Sequence, residues 1–338
     1  MKKIIKRLGF CIGVLVAVSA VAVYRLQAFD LDLGSRGQVI LFKSQGDQLE
    51  GTLLMPAEQP SPPVVLIVHG DGAQDRWSGD GYAPLVNYLL SQGIAVFSWD
   101  KPGVGASQGN WLAQSMDDRA AEEVEALKRL RGVPSLKHSP MGFLGFSQAG
   151  WVVPQASGPA RADFAVLVGP AINWRNQGFY YLSQRLKSQQ LPPDEVARQV
   201  QREIQAFDAE FTQAAAESPC AATCTRQDFE RRNSHADARS AIAAMQTPVM
   251  ILMGAQDRNV DPDDTLGTWD TSLPDQTLRC IRKVPSATHG LLRSSGFDYQ
   301  LASEWPWYTT AIFLMSGHRA YASGALESIA TWVLDRKC

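Results

Sequence analysis

Gly145-Phe146-Ser147-Gln148-Ala149-Gly150 follows the apolar run Met141-Gly142-Phe143-Leu144 and precedes Trp151-Val152-Val153. The first run reads as a buried strand and the last as the opening of a helix. Strand, tight turn carrying a serine, then helix is the context in which a G-x-S-x-G pattern acquires chemical meaning. At such a turn the serine backbone is strained and its hydroxyl stands clear of the sheet. The residues two before and two after it must be small, or they would collide across the turn. Gly145 meets this condition, and Ala149 departs from it by one methyl group.

Around this turn the chain alternates strand and helix. Val39–Lys43 and Gln48–Met55 flank Ser44-Gln45-Gly46-Asp47, a hairpin signal. Val64–Val68 is a continuous apolar run suited to a strand covered on both faces. Tyr82–Gln92 reads as a helix, Ile94–Trp99 as a strand and Asp117–Arg131 as an amphipathic helix. Further strands are expected at Phe164–Gly169, Val249–Gly254 and Leu278–Val284, with a closing helix at Ala325–Arg336. This alternation predicts right-handed crossovers and a mainly parallel sheet flanked by helices, an α/β fold.

Between Ala171 and Met245 no strand is legible, and an apolar stripe of Val196, Val200, Ile204, Phe207 and Phe211 marks a helix. Inserted after the sixth strand, such a segment would sit over the C-terminal sheet edge, where ligands bind in open α/β folds. The expected organisation is therefore an α/β domain from residues 29–170 and 246–338, with a helical cap at 171–245 and a separate leader at 1–28.

That leader carries Lys2, Lys3, Lys6 and Arg7 ahead of the apolar run Leu8–Tyr24, with no acid before Asp30. It reads as an export signal with small-residue cleavage sites near Ala20, Ala22 and Ala28. Uncut, it is barely long enough to anchor the chain in a membrane. Without it, the 338-residue chain keeps 27 basic against 34 acidic residues, a net charge of −7. An acidic domain with no basic run excludes nucleic acid as an expected partner. Beyond Cys11, the four remaining cysteines are Cys220, Cys224, Cys280 and Cys338, an even number suited to an oxidising compartment. A local Cys220–Cys224 disulfide and free thiols both stay open, while zinc lacks a second ligand pair at matching spacing. No metal or other cofactor is implied, and the oligomeric state stays open.

From Val39 onward the sequence resembles the α/β-hydrolase family. It is most similar to its secreted serine-hydrolase branch of esterases and relatives of serine aminopeptidases and acylaminoacyl peptidases. His69-Gly70-Asp71-Gly72-Ala73-Gln74-Asp75-Arg76 resembles that branch's H-G-S-G-P-x-D-R loop. Asp100-Lys101-Pro102-Gly103-Val104-Gly105-Ala106-Ser107 resembles D-K-R-G-V-G-K-S, with Gly109-Asn110-Trp111 continuing the match. Gly145–Pro154 is similar to G-H-S-Q-G-G-W-I-A-P, with Phe146 and Ala149 as departures.

A serine hydroxyl needs a base, because unassisted it is a poor nucleophile at neutral pH. In the Ser…Asp…His order of this fold the base follows the last strand, which selects His289 in Ala287-Thr288-His289-Gly290, with His318 as the rival. The orienting acid is expected at Asp257, just past Val249–Gly254, with Asp261, Asp263 and Asp264 crowding the same loop. Two backbone N–H groups must face the developing oxyanion. Gln148 follows the serine, and Asp71 lies in the loop after Val64–Val68. Asp71 replaces the branch's serine and is expected to repel anionic substrates; Asp75 and Arg76 are expected to pair and shape that loop.

The expected reaction is cleavage of an ester, thioester or amide of a small-molecule acyl substrate through an acyl-enzyme. Aminopeptidase or acyl-peptide hydrolase activity is the alternative, followed by an acyltransferase or an inactive binding module. Tyr180, Tyr181, Trp305, Trp307 and Tyr308 are the expected apolar wall.

Overall fold

The computed structural model describes residue 20, residues 23–57 and residues 59–338. The export or anchor segment expected at 1–28 falls largely outside the described residues. Among the described residues no helix is long and apolar enough to cross a membrane.

Eight strands form one sheet in the order β1-β2-β4-β3-β5-β6-β7-β8. They are β1 Gly37–Ser44, β2 Asp47–Leu54, β3 Val64–Val68, β4 Ala95–Trp99, β5 Met141–Phe146, β6 Phe164–Val168, β7 Val249–Gly254 and β8 Arg279–Val284. β1 and β2 pair antiparallel through a turn at Gln45 (φ 51°) and Gly46 (φ 92°). Two consecutive positive φ angles match the twist of a two-residue hairpin, and Gly46 supplies one at no steric cost. β2 meets β4 antiparallel, and every later pairing is parallel.

β3, β4 and β6 are buried along their whole length, as continuous apolar runs require when helices cover both faces. One core cluster packs the helices Met116–Arg131 and Ala149–Ala160 on one face; the other packs Ala83–Ser91 and Ala325–Asp335 on the opposite face. Helix Met116–Arg131 opens with a capping box between Ser115 and Asp118.

Register fixes the site. Val68 lies opposite Gly145, Phe146 opposite Val168, and Gly254 opposite Val284, so five strands end along one edge. β3 and β5 are neighbours, yet the chain leaves β3 toward β4 on one side and returns to β5 on the other. The loops after β3 and β5 thus part at a topological switch point, where the crevice of an open α/β sheet forms.

Between β6 and β7 lie five helices: Trp174–Ser188, Pro193–Glu210, Gln213–Ala216, Arg226–Asn233 and Arg239–Ala244. The helix there spans Pro193–Glu210, and the stripe expected from Val196 to Phe211 is shallow, with only Val196 of its members buried. The insertion leaves and re-enters at one neck, where Asn173 and Asp237 form an antiparallel bridge. Trp174 N–H donates to the Ala236 carbonyl at 2.9 Å, and Ala238 N–H to Ile172 at 2.8 Å. Disulfides join Cys220 to Cys224 within the insertion and Cys280 on β8 to Cys338.

Candidate active site

Ser147 occupies the left-handed region at φ 54°, a conformation that costs a non-glycine residue about 1–3 kcal/mol. Three hydrogen bonds of 3.0 Å hold it there. Its N–H donates to Val168, and its carbonyl accepts from Gly150 and Ala171. The need for small flanking residues is literal. A Cβ on Gly145 would lie 2.5 Å from the Ala149 Cβ, and one on Gly150 would lie 2.2 Å from the Ala171 carbonyl oxygen.

His289 and Asp257 arrive on the loops after β8 and β7. His289 Nδ1 stands 2.7 Å from Asp257 Oδ2. The other carboxylate oxygen, Oδ1, accepts from the N–H groups of Asn259 at 2.8 Å and Val260 at 2.9 Å. Both oxygens are therefore oriented. Burial depresses the His289 pKa, but the Asp257 charge and hydrogen bond outweigh it, and the net direction is above the ordinary 6.5. The imidazole packs on Gly169, where a Cβ would meet its Nδ1 at 2.7 Å. Gly169 directly follows Val168, the acceptor of the Ser147 N–H, so the residues expected at 147, 257 and 289 converge on one strand edge.

The rivals lie elsewhere. Asp261 caps helix Pro262–Ser272, and Asp263 pairs with Lys283 at 2.7 Å. His318 packs near Tyr88 with ring centres 5.9 Å apart. His69 is buried with one ring nitrogen against the Trp99 carbonyl at 2.7 Å. Burial, with Lys101 beside it, brings its pKa down to about 3, so it stays neutral.

A cavity of about 450 Å³ opens over Ser147, bounded by Trp151, Trp174, Tyr181, Asp71, Arg226 and Glu230 among others. Within the described residues the backbone N–H groups of Gln148 and Asp71 donate to nothing. The Asp71 carboxylate is not the bare anion expected. Both its oxygens receive Arg226, at 2.6 and 2.8 Å, and Oδ1 also accepts from Gln148 Nε2 at 2.9 Å. Burial pushes its pKa up, yet Arg226 wins and holds it below the ordinary 3.8. Its repulsion of anionic substrates is thereby largely cancelled.

Three further cationic side chains support this loop. Arg119 donates to Gln148 Oε1 at 2.9 Å and to the His69 carbonyl at 2.7 Å. Lys101 Nζ bridges the carbonyls of Gly70 and Gly72 at 2.6 and 2.9 Å. Arg76 pairs with Asp100 and Glu50 rather than with Asp75, whose carboxylate instead accepts from the N–H groups of Trp77 and Gly79. Arg226 and Arg119 were not legible as site residues, since no short pattern marks either.

Of the expected wall, Tyr181 borders the cavity and Tyr180 donates its hydroxyl to the Asp257 carbonyl at 2.8 Å. Trp305 packs with Phe297 and Phe313 instead, while Trp307 and Tyr308 face solvent. Trp151 and Trp174, stacked with ring centres 5.1 Å apart, take their place.

A strand order of this kind, with a serine on the strained turn after β5 and an acid–histidine pair beyond β7 and β8, defines an α/β-hydrolase. The chain belongs to the serine aminopeptidase, S33, family, whose model matches residues 59–294. It is an enzyme of serine-hydrolase character. Over 104 residues it is 34% identical to esterase FrsA of Yersinia pestis (strain Pestoides F), covering 30% of this chain and 24% of that one. The chain thus spans about a quarter of the length of the curated relatives it matches. In structure it is similar to the Pyrococcus furiosus esterase Pf2001, with a TM-score of 0.53, 17% identity, and 84% and 92% of the two chains covered. The α/β-hydrolase GrgF from Penicillium sp. sh18 gives a TM-score of 0.53 at 17% identity over 84% of this chain and 99% of that one. At such identities these likenesses bear on the fold alone.

Proposed function

We propose that this chain is an exported esterase in which Ser147, His289 and Asp257 form the catalytic triad. The observation that carries the reading is the 2.7 Å contact between His289 Nδ1 and Asp257 Oδ2. It assigns the proton to Nδ1 and leaves Nε2 with a lone pair to receive the Ser147 hydroxyl proton. As Ser147 Oγ bonds to the acyl carbon, the carbonyl oxygen becomes an oxyanion stabilised by the N–H groups of Gln148 and Asp71. The leaving alcohol takes the proton from Nε2. Water then repeats the sequence and releases the acid.

An ester is favoured over a peptide amino terminus because the carboxylates of Asp71 and Glu230 facing the cavity are already engaged by Arg226. A substrate ammonium would find no uncommitted acid there. The inserted helices act as the cap, and the Trp151–Trp174 stack with Tyr181 supplies the apolar wall for an uncharged acyl group of short to medium length. Export, with the leader either cut or kept as a membrane anchor, is supported by the disulfides at Cys220–Cys224 and Cys280–Cys338.

Fluorophosphonate labelling of the protein and its Ser147→Ala variant is the direct test, followed by chromogenic esters of rising acyl length and aminoacyl amides. Loss of label in the alanine variant with an unchanged melt, and turnover of esters above amides, is expected. Undiminished labelling of Ser147→Ala would remove that serine from the mechanism.

A further inference from the structure

We propose that Arg226 is a latch: it fastens the inserted helices to the oxyanion loop, so the two amide donors reach working spacing only with the insertion closed over Ser147. This rests on the reading of Ser147 as the nucleophile. The donors belong to loops that part at the switch point, one after β3 and one after β5. Their side chains are joined to each other, with Gln148 Nε2 donating to Asp71 Oδ1 at 2.9 Å. The distance between the two backbone N–H groups therefore depends on where the Asp71 carboxylate is held.

From the body of the domain the clasp is held by buried groups. Arg119 fixes the far end of the Gln148 amide, and Lys101 spans the carbonyls on either side of Asp71. From the insertion the Asp71 carboxylate is held by Arg226, at the first helical position of Arg226–Asn233. The guanidinium meets both carboxylate oxygens, the paired geometry that fixes orientation as well as distance. Arg226 is aimed by its own helix. Its Nε donates to Glu230 at 2.7 Å, and it rests over the Phe229 ring at 5.4 Å. A capping box between Thr225 and Asp228 fixes the start of that helix, and the Cys220–Cys224 disulfide closes the loop just before it.

The pair is about half exposed, at 45% for Arg226 and 44% for Asp71, so its contribution to folding is small. Its leverage is on geometry, because displacing a catalytic group by an ångström costs about a hundredfold in rate. Activity and stability should therefore separate, as they would not for a merely structural ion pair.

The test compares Arg226→Gln, Arg226→Lys and Asp71→Asn with the full-length parent. The readouts are turnover of a short chromogenic ester, the second-order rate of fluorophosphonate labelling, and the melt. Arg226→Gln is expected to lose about ten- to a hundredfold in kcat and labelling rate, with KM and melt nearly unchanged. Arg226→Lys, which keeps the charge without the fork, should fall between. Arg226→Gln combined with Asp71→Asn should lose no more than the worse single variant, since both open one latch. The latch is overturned if Arg226→Gln, or Asp71→Asn should the first melt early, keeps kcat and labelling rate within about threefold of the parent. Persistent labelling of Ser147→Ala would instead sink the reading of the site itself.

Discussion

Replacing Asp257 by Asn changes one atom of the side chain and should cost about 10⁴-fold in kcat. The structure explains why so small a change does so much. Asp257 Oδ1 accepts from the Asn259 and Val260 N–H groups, while Oδ2 faces His289 Nδ1. An asparagine must choose between them. If its oxygen keeps the two backbone donors, its NH2 confronts Nδ1, which must then accept, so the ring proton moves to Nε2 and the lone pair needed by Ser147 is gone. If the amide turns over, two buried N–H groups lose their acceptor, at about 1–3 kcal/mol each. The first arrangement wins, and the imidazolium formed in the reaction also loses its counter-charge. Steady-state hydrolysis of a chromogenic ester measures the loss, with the melt as a check on folding. A folded Asp257→Asn enzyme within about tenfold of the parent would refute the assignment of Asp257 as the orienting acid.

The acid limb of kcat/KM should have its midpoint above 6.5, because His289 must be neutral to act and Asp257 holds its pKa up; in Asp257→Asn, with burial unopposed, residual activity should persist to lower pH. Gly150→Ala would press a Cβ to 2.2 Å and 2.6 Å from backbone atoms of Ala171, which cannot swing aside, so it should cost about 1–3 kcal/mol in denaturant titrations and take labelling down with it. Trp174→Ala should flatten acyl chain-length preference in the ester panel, by opening the stack with Trp151, while Trp307→Ala should leave that profile untouched. Protease or thiol probes applied to intact cells should reach the domain with both cysteine pairs oxidised, and reduced Cys220 and Cys224 in a cytosolic fraction would count against export.

The strand–turn–helix around Ser147 was legible because its steric demands are local: Gly145, Ala149 and Gly150 must be small for reasons acting within a few residues. β3 to β7 were legible for a related reason, since burial on both faces leaves largely apolar runs, and the observed ends differ by a residue or so. Asp257 and His289 followed from their short tethers to strands. What escaped depended on contacts distant in sequence. Arg226 and Asp71 are 155 positions apart, and no periodicity links them. Trp307–Ser316 is a helix with little contrast between its faces, so pattern reading gave no element there. Asp75 and Arg76 are sequence neighbours, yet backbone N–H groups satisfy the first and Asp100 draws the second across the loop.

The neck at Asn173 and Asp237 gives the insertion the character of an interchangeable part. Its two stems are tied together before either reaches a strand, so β6 and β7 pair without sensing how much chain hangs beyond the knot. Closing a longer loop costs only about 0.6 kcal/mol for each doubling of length, so inserts of very different size can share this sheet. Mutation can therefore remodel the roof of the cavity while the sheet beneath keeps its register. Grafts between relatives are best joined at this knot, where the seam falls on a contact that already exists.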